Sequence, residues 1–353
     1  MKRSPANLPI TLLYNLDNSW SSSEKNENIN LVDWLKNCLS TIGHPTTSIC
    51  LDNKELKETM AGLDPEGQII FNWCEEIPGI QRSSAMVASV LEEMGFSYTG
   101  ADSRSLQLSY DKPAIKRRLQ ELGIPTPGWQ VFLQAENLDW NCFPAIVKPA
   151  YEHSSVGITH EAVVNNSVEL SKRVAQVLEL FHEPVLVEDF IEGREFHVTV
   201  VGNGRLRVFP IAEMDFSAIG ENRDRLCTYD SKFNPSSSDY LMIQLRLPAV
   251  LSDEEKQQLE KVAIAAYRAG ECRDYARLDI RQRDGSFYVL DINPNADISP
   301  DTSIALSAEL AGYPFGEFVS MIVGLAAHRH PIFGRRERKT VTQISPAISP
   351  VIG

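Results

Sequence analysis

Positive charge is scarce. Thirty-four Lys and Arg stand against 47 Asp and Glu, which leaves the 353-residue chain at a formal net charge of −13. Nonspecific nucleic-acid binding needs a broad basic surface, so nucleic acid is not an expected partner, although local basic pockets for an anionic ligand stay open. No apolar run approaches about 18 residues, which removes a membrane-spanning helix and a membrane partner. The stretch Leu8–Leu16 follows Lys2 and Arg3 but is short, carries Tyr14 and Asn15, and lacks a small-residue cleavage site. It reads as a first β-strand rather than a signal peptide. Cys38, Cys50, Cys74, Cys142, Cys227 and Cys272 form no C-x-x-C pair and no zinc-finger pattern; they read as reduced, small hydrophobes of a cytoplasmic protein. No G-x-G-x-x-G follows the first strand, so a nicotinamide cofactor has no support, and no internal repeat is visible. Apolar residues at 43% and charged residues at 23% are ordinary for a soluble globular protein. The length suggests roughly two to three domains.

Residues 1–108 alternate apolar strands (Ile10–Tyr14, Thr47–Leu51, Gln68–Phe71) with helical stretches (Asn30–Leu39, Ser83–Met94), and Asn18–Asn28 reads as a loop. Such alternation predicts a parallel sheet with helical crossovers, a Rossmann-like α/β domain. A helix over 111–122 follows, with Asp111 as N-cap, Pro113 in its first turn and Gly123 as its stop. Gly202-Asn203-Gly204 between Phe196–Val201 and Leu206–Pro210 signals a hairpin. Ser252-Asp253-Glu254-Glu255 is a capping box opening a helix to about Ala269. The expected domains are 1–108, 109–195, 196–327 and a flexible tail, 328–353.

Two strands carry the densest chemistry: Arg277-Leu278-Asp279-Ile280 and Val289-Leu290-Asp291-Ile292-Asn293, joined through Asp284-Gly285-Ser286. Loop parity decides which faces match. A two-residue loop would set Asp279 opposite Leu290 and mix polar with apolar residues. A three-residue loop sets Asp279 opposite Asp291 and Arg277 opposite Asn293, with Leu278, Ile280, Leu290 and Ile292 on the other face, and is the expected register. Facing carboxylates repel unless a positive charge intervenes. Carboxylate and amide oxygens suit a hard cation such as Mg²⁺. Spacing alone leaves open the alternative of a solvated face neutralised by Arg277.

Two further stretches qualify. Lys148 ends the apolar run Phe143–Val147, and Ser154-Ser155-Val156-Gly157 follows. A lysine and a small-residue loop can hold a phosphate from two sides, though an ordinary exposed lysine and loop would look the same. In Leu186–Phe196, Glu188 and Glu195 bracket a turn between strands, equally readable as surface charge at strand ends.

Taken in order, Asp111-Lys112, Ile146-Val147-Lys148-Pro149, Ser154–Gly157, Val187-Glu188, Glu192-Gly193-Arg194-Glu195, Arg277-Leu278-Asp279 and Asp291-Ile292-Asn293 resemble the ATP-grasp superfamily, and within it the D-alanine–D-alanine ligases and their relatives. Leu122–Pro127 fits the same group, and the resemblance covers about residues 68–325. It implies an N-terminal Rossmann-like domain before a two-domain ATP-grasp fold: a central lid over 109–195 and a catalytic domain over 196–327. It also implies ATP, Mg²⁺ (two ions, with Mn²⁺ as a substitute), carboxylate and amine substrates, and a homodimer. Lys112 and Lys148 would contact the ATP phosphates. Ser154, Ser155 and Gly157 would form a closing loop, with Ser155 in the catalytic set. Glu188, with the backbone of Asp189, Phe190 and Ile191, would receive adenine, and Glu195 the ribose. Asp279, Asp291 and Asn293 would hold the metal. Arg277 would stabilise the transferred phosphoryl group, and Lys232, in Tyr229-Asp230-Ser231-Lys232-Phe233, would approach the γ-phosphate.

The chain departs from that pattern on the substrate side. A Gly-rich loop with an ammonium-binding Glu is replaced by Asn15–Trp20, where Asp17 or Glu24 would have to substitute. His153 stands where a Gly precedes the serine pair, Phe233 lacks a hydroxyl, and Asp291 replaces a Glu. Asp297 takes a glycine's place, with Ser299 and Thr302 as nearby hydroxyls. The expected activity is an ATP-dependent carboxylate–amine ligase working through an acyl phosphate. The alternatives are a specialised amino-acid ligase with substrates other than D-alanine, or a non-catalytic ATP-binding regulator.

Overall fold

The computed structural model describes residues 7–334 except 54 and 235, without the side chains of Asn222, Lys232, Phe233 and Asp239. Contacts divide the chain into two units, residues up to Ser103 together with those from Tyr313 onward, and Arg104–Gly312.

In the first unit, β1 (Ile10–Asn15) runs between β2 (Thr46–Leu51) and β3 (Ile69–Trp73), parallel to both. The crossovers carry α1 (Ser22–Ile42) and α2 (Leu56–Met60), and α3 (Ser84–Glu93) follows β3. This is the parallel α/β arrangement that the strand–helix alternation predicts. The first helix, however, starts eight residues early. Ser21 accepts from the Glu24 N–H while the Glu24 side chain accepts from the Ser21 N–H, a capping box inside the stretch expected to be a loop. The late helix Phe315–Ala327 packs here as well: its Phe315 ring lies 4.3 Å from Trp34, and Ser320 Oγ lies 2.8 Å from His44 Nε2. Sequence order alone assigns this helix to the 196–327 domain, whereas its contacts place it with the first unit. His330 is buried; its Nδ1 accepts the N–H groups of Ile332 and Phe333, and its Nε2 lies 3.1 Å from the Pro65 carbonyl. Residues 335–353, most of the expected tail, lie outside the described residues.

Helix α4 (Ser103–Tyr110), from Arg104 on, opens the second unit, and α5 (Lys112–Glu121) follows, whose N-cap is Asp111 as expected, its side chain accepting from the Ala114 N–H. Four strands, β4 (Trp129–Phe132), β5 (Ala145–Pro149), β6 (Val163–Val164) and β7 (Val185–Asp189), form an antiparallel sheet in the order β4-β7-β5-β6. Its inner face (Val147, Val185, Val187) packs on Leu170, Val174 and Val177 of α6 (Ser167–Phe181). A second antiparallel sheet follows: β8 (Arg194–Val201), β9 (Arg207–Val208), β10 (Ala212–Asp215), then, past the short helices α7 (Tyr229–Phe233) and α8 (Ser238–Met242), β11 (Gln244–Arg246). The capped helix α9 (Asp253–Ala269) precedes β12 (Tyr275–Arg283) and β13 (Ser286–Pro294), and α10 (Ser303–Leu310) ends the unit.

The buried face of this sheet (Phe196, Val198, Leu278, Ile280, Val289) packs on Leu259 and Ala263 of α9 and on Ile115, Leu119 and Ile124. Each fully buried side chain of this size contributes about 1.5–3 kcal/mol. Helix α5, which the sequence reading placed with the lid, therefore belongs to the core of the second sheet. Among the described residues no single helix is long and apolar enough to cross a membrane. All six cysteines are free of disulfides.

Candidate active site

Strands β12 and β13 pair Arg277 with Asn293 and Asp279 with Asp291, the expected register. The loop is not the expected one. Arg283 pairs with Ser286 across a two-residue turn, Asp284 at φ 51° and Gly285 at φ 76°, the positive-φ pair of a type I′ turn. Parity is restored by a β-bulge, because Asp279 faces Asp291 while Ile280 faces Val289 and Leu290 is left as the extra residue. The bulge also turns the Leu290 carbonyl to the side chain of Lys116, whose Nζ donates to it at 2.9 Å.

On the polar face, Arg277 makes a bidentate pair with Asp279, Nε to Oδ1 at 2.7 Å and Nη2 to Oδ2 at 3.0 Å, and Asn293 Nδ2 donates to Asp279 Oδ2 at 3.0 Å. Burial lowers the preference of Arg277 for charge, but Asp279 outweighs it and the guanidinium pKa lies above its ordinary value. Burial pushes the Asp291 carboxyl up, yet Lys112, Lys148 and Lys116 together hold it below the usual carboxylate range. The next strand extends this face. Glu195, His197 and Thr199 of β8 pair with Arg281, Asp279 and Arg277. Glu195 Oε2 accepts from Arg281 Nε at 2.8 Å, and its carboxyl is held low against burial by Arg281 and His197.

Strand β5 and helix α5 supply the cations. Lys148 Nζ lies 2.6 Å from Glu188 Oε2, and Lys116 Nζ lies 2.5 Å from Glu188 Oε1, all three side chains nearly or fully buried. Burial opposes every charge in this triad. Between Lys148 and Glu188 attraction prevails, with the lysine raised and the carboxylate lowered, whereas burial pulls Lys116 and Lys112 down. Lys112 Nζ donates to the Glu152 carbonyl. Lys112, Lys116 and Asp291 line one narrow crevice with Ser109. Glu188, expected to face adenine, thus has both oxygens on lysines. Asp189 takes a bidentate pair from Arg283, its N–H donates to the Gly128 carbonyl, the Phe190 N–H donates to Pro144, and the Ile191 carbonyl accepts from Arg281.

The serine loop bends tightly: Ser154, Ser155 and Gly157 all have positive φ. Ser155 Oγ donates to the Cys227 carbonyl at 2.9 Å, and Arg173 holds the Gly157 carbonyl. Lys232 lies in α7, but its side chain is outside those described. His153 sits edge-on to Tyr110 with ring centroids 4.2 Å apart, and burial and Lys112 depress its pKa to about 4.

Several participants escaped the sequence reading. Lys116 lies one helical turn after Lys112, on the same side of α5. His197 and Arg281 lie two residues from Glu195 and Asp279, hence on the same strand faces. In the first unit the two proposed ammonium ligands are engaged otherwise. Asp17 Oδ1 accepts the N–H and hydroxyl of Ser19 and its Oδ2 the Gly79 N–H, while Glu24 closes the α1 cap.

Residues 119–324 match the family model described as the D-ala D-ala ligase C-terminus. The chain belongs to that family. It is 30% identical over 312 residues to an uncharacterized protein of Sinorhizobium fredii, covering 85% of this chain and 88% of that protein. It is 27% identical to a D-alanine–D-alanine ligase of Aquifex aeolicus over 86% of this chain and 96% of that one. The fold superposes on the crystal structure of the Bacillus anthracis D-alanine–D-alanine ligase complexed with ATP at TM-score 0.71 and 24% identity, covering 96% of this chain and 100% of that one.

Proposed function

We propose that the chain is an ATP-dependent carboxylate–amine ligase of the D-alanine–D-alanine ligase kind. The observation that carries this reading is the single polar face joining Arg277, Asp279, Asp291 and Asn293, with the ammoniums of Lys112, Lys116 and Lys148 acting on Asp291.

A carboxylate cannot acylate an amine directly, because its leaving group would be oxide. Transfer of the ATP γ-phosphoryl group makes an acyl phosphate, the amine attacks the acyl carbon, and phosphate leaves. The protein's work in such chemistry is positioning and charge stabilisation. Lys112 and Lys148 would bind phosphate oxygens, and Arg277, held by two hydrogen bonds to Asp279, would stabilise charge on the transferred group. Lys232 would add a further cation at the γ-phosphate. Glu195 would accept from the ribose hydroxyls, and the strand end Asp189–Ile191 would receive the base beside Glu188. Ser154, Ser155 and Gly157 would cover the phosphates and exclude water.

The hard-oxygen donors Asp279, Asp291 and Asn293 fit magnesium, and the surrounding lysines keep Asp291 ionised for it. When bound there, one or two Mg²⁺ ions (or Mn²⁺) would neutralise phosphate charge. An ATP-consuming ligase of this kind works in the cytoplasm on small molecules, and we expect a homodimer.

A second reading concerns the substrates. With Asp17 held to Ser19 and to the Gly79 N–H, Glu24 closing the α1 cap, and Asp297 accepting from the Ser299 N–H and hydroxyl, the acids standing at the family's substrate positions are committed elsewhere. This favours an acid–amine pair other than two D-alanines. The test is phosphate release with ATP and Mg²⁺ against a panel of D- and L-amino acids, with mass spectrometry of the products. Phosphate release that requires an acid and an amine together, with the mass of their amide, supports the ligase. ATP hydrolysis indifferent to every pair would overturn it.

A further inference from the structure

Three side chains on this face form a cluster that the ligase reaction does not use as a unit. His197 lies on β8 two residues after Glu195, and Cys227 lies just before α7. One ligand atom from each of Glu195, His197 and Cys227 lies within 4.8 Å of the other two. His197 Nε2 is 3.7 Å from Glu195 Oε1 and 3.9 Å from Asp279 Oδ1. The His197 side chain is only 7% exposed, and its Nε2 has no hydrogen-bond partner. A buried imidazole nitrogen without a hydrogen-bond partner is costly, so a ligand that fills its lone pair is favoured. The opposite ring nitrogen lies 3.4 Å from Ser303 Oγ, the kind of outer contact that orients a ligating imidazole. Glu195 is itself fixed, Oε2 on Arg281, which leaves Oε1 toward His197.

We propose that Glu195, His197 and Cys227 bind one thiophilic divalent cation of the zinc class. One thiolate, one imidazole and one carboxylate make the donor set of Zn²⁺ or Co²⁺, and not of Mg²⁺, which takes oxygen. Metal–ligand bonds of about 2.0–2.3 Å need the three atoms to draw together to about 3.5 Å. The Glu195–His197 pair is already near that spacing, so closure falls mainly to the Cys227 side chain. Three protein ligands leave a fourth position for water. On binding, the Cys227 thiol loses its proton to solvent and the sulfur–metal bond forms, with no change of oxidation state. Because Glu195 is the proposed ribose ligand, which rests on the ligase reading, the cation and ATP would compete, and a zinc-class ion would act as an inhibitor.

The experiment titrates Co²⁺ into the full chain, freed of metal and nucleotide, and reads the thiolate-to-cobalt charge-transfer absorption. The expected result is a band saturating at one equivalent, absent in Cys227→Ser, with affinity weakened at least about 10-fold in His197→Gln. Absence of the band, or its persistence in Cys227→Ser, would overturn the site. ATP binding is measured separately by calorimetry in Mg²⁺ buffer. If ATP binds and no cobalt–thiolate band forms, the metal site fails and the ligase reading stands. If the band forms and ATP does not bind, the reverse holds. If both bind without mutual displacement, the inhibitory role is refuted.

Discussion

Replacing Lys116 by Met tests whether the buried triad organises the second unit. Lys116 Nζ touches Glu188 Oε1 at 2.5 Å, Thr126 Oγ1 at 2.9 Å, and the carbonyls of Leu290 and Val289 at 2.9 and 3.3 Å. It thereby ties the Glu188 strand to the bulge that sets the β12–β13 register. Methionine keeps the aliphatic stem and removes the charge. Orphaning a buried ion costs about 3–5 kcal/mol. Glu188 keeps Lys148, which reduces that figure, while the Leu290 carbonyl loses a donor at about 1–3 kcal/mol. Relief of the Lys116 desolvation offsets part of the loss. The net expectation is a destabilisation of about 2–4 kcal/mol, within the range set by those two costs. For a unit the size of Arg104–Gly312 this lowers Tm by about 4–16 °C.

Calorimetry of three variants reads this directly. Glu188→Gln alone leaves two lysines without their anion and is also destabilised. The double variant Lys116→Met/Glu188→Gln should lose at least about 1 kcal/mol less than the two single losses added together, because the residues share one interaction. ATP affinity, measured in parallel, should fall in Lys116→Met because Lys148 and Asp291 both lose a neighbour. A Tm within about 2 °C of the parent, or strict additivity in the double variant, would refute the reasoning.

Asp279→Asn and Asp291→Asn should each cut ATP-dependent turnover on the order of 10²–10³-fold with an unchanged circular dichroism spectrum; turnover within tenfold of the parent would contradict their assignment. Gly157→Ala places a Cβ 2.8 Å from Pro149 Cγ and 2.9 Å from Phe181 Cζ at φ +75°, so it should cost about 1–3 kcal/mol and raise KM for ATP, and an unshifted melting curve would count against the packed loop. Acid should also destabilise the protein. Burial lowers the pKa of His44 and His330, and burial with Lys112 lowers that of His153 to about 4, all from an ordinary 6.5. A group depressed on folding contributes stability that is full above its unfolded value and is lost as pH falls through the folded one. Stability should therefore drop between pH 6.5 and 4, with His153 supplying up to about 3 kcal/mol of the loss. Calorimetry from pH 7.5 downward should show a shallower fall in His153→Gln; an identical slope would exclude His153 as a source.

The elements that were legible are those with local signals. The Asp111 cap, the 252–255 capping box and the Gly202–Gly204 hairpin all stand where the residues place them. An equally local signal, Ser21 with Glu24, is masked because polar residues dominate the first turns of α1 and hide its apolar stripe. Domain membership was less legible, since Ile115 and Leu119 carry no mark of which sheet they will cover, and the helix Phe315–Ala327 returns to the first unit across more than two hundred residues.

The hairpin shows why the site was more legible than its connections. Sorting Asp279 with Asp291 and Arg277 with Asn293 demanded one extra residue somewhere between the strands. Parity gives only the need for that residue, and a three-residue loop and a two-residue turn with a bulge satisfy it equally. Asp284-Gly285 is a strong type I′ sequence, and it moves the extra residue into the strand. The same alternation, applied one strand further, aligns Glu195, His197 and Thr199 with Arg281, Asp279 and Arg277. Two acids on this face then meet a base on the neighbouring strand or the next residue of their own face, whereas Asp291 faces Asp279 and depends on lysines from elsewhere. The pairs Glu195–Arg281 and Asp279–Arg277 follow from that rule. Glu188 does not, because its lysines come from a helix and a neighbouring strand, and contacts between elements far apart in sequence have no period to betray them.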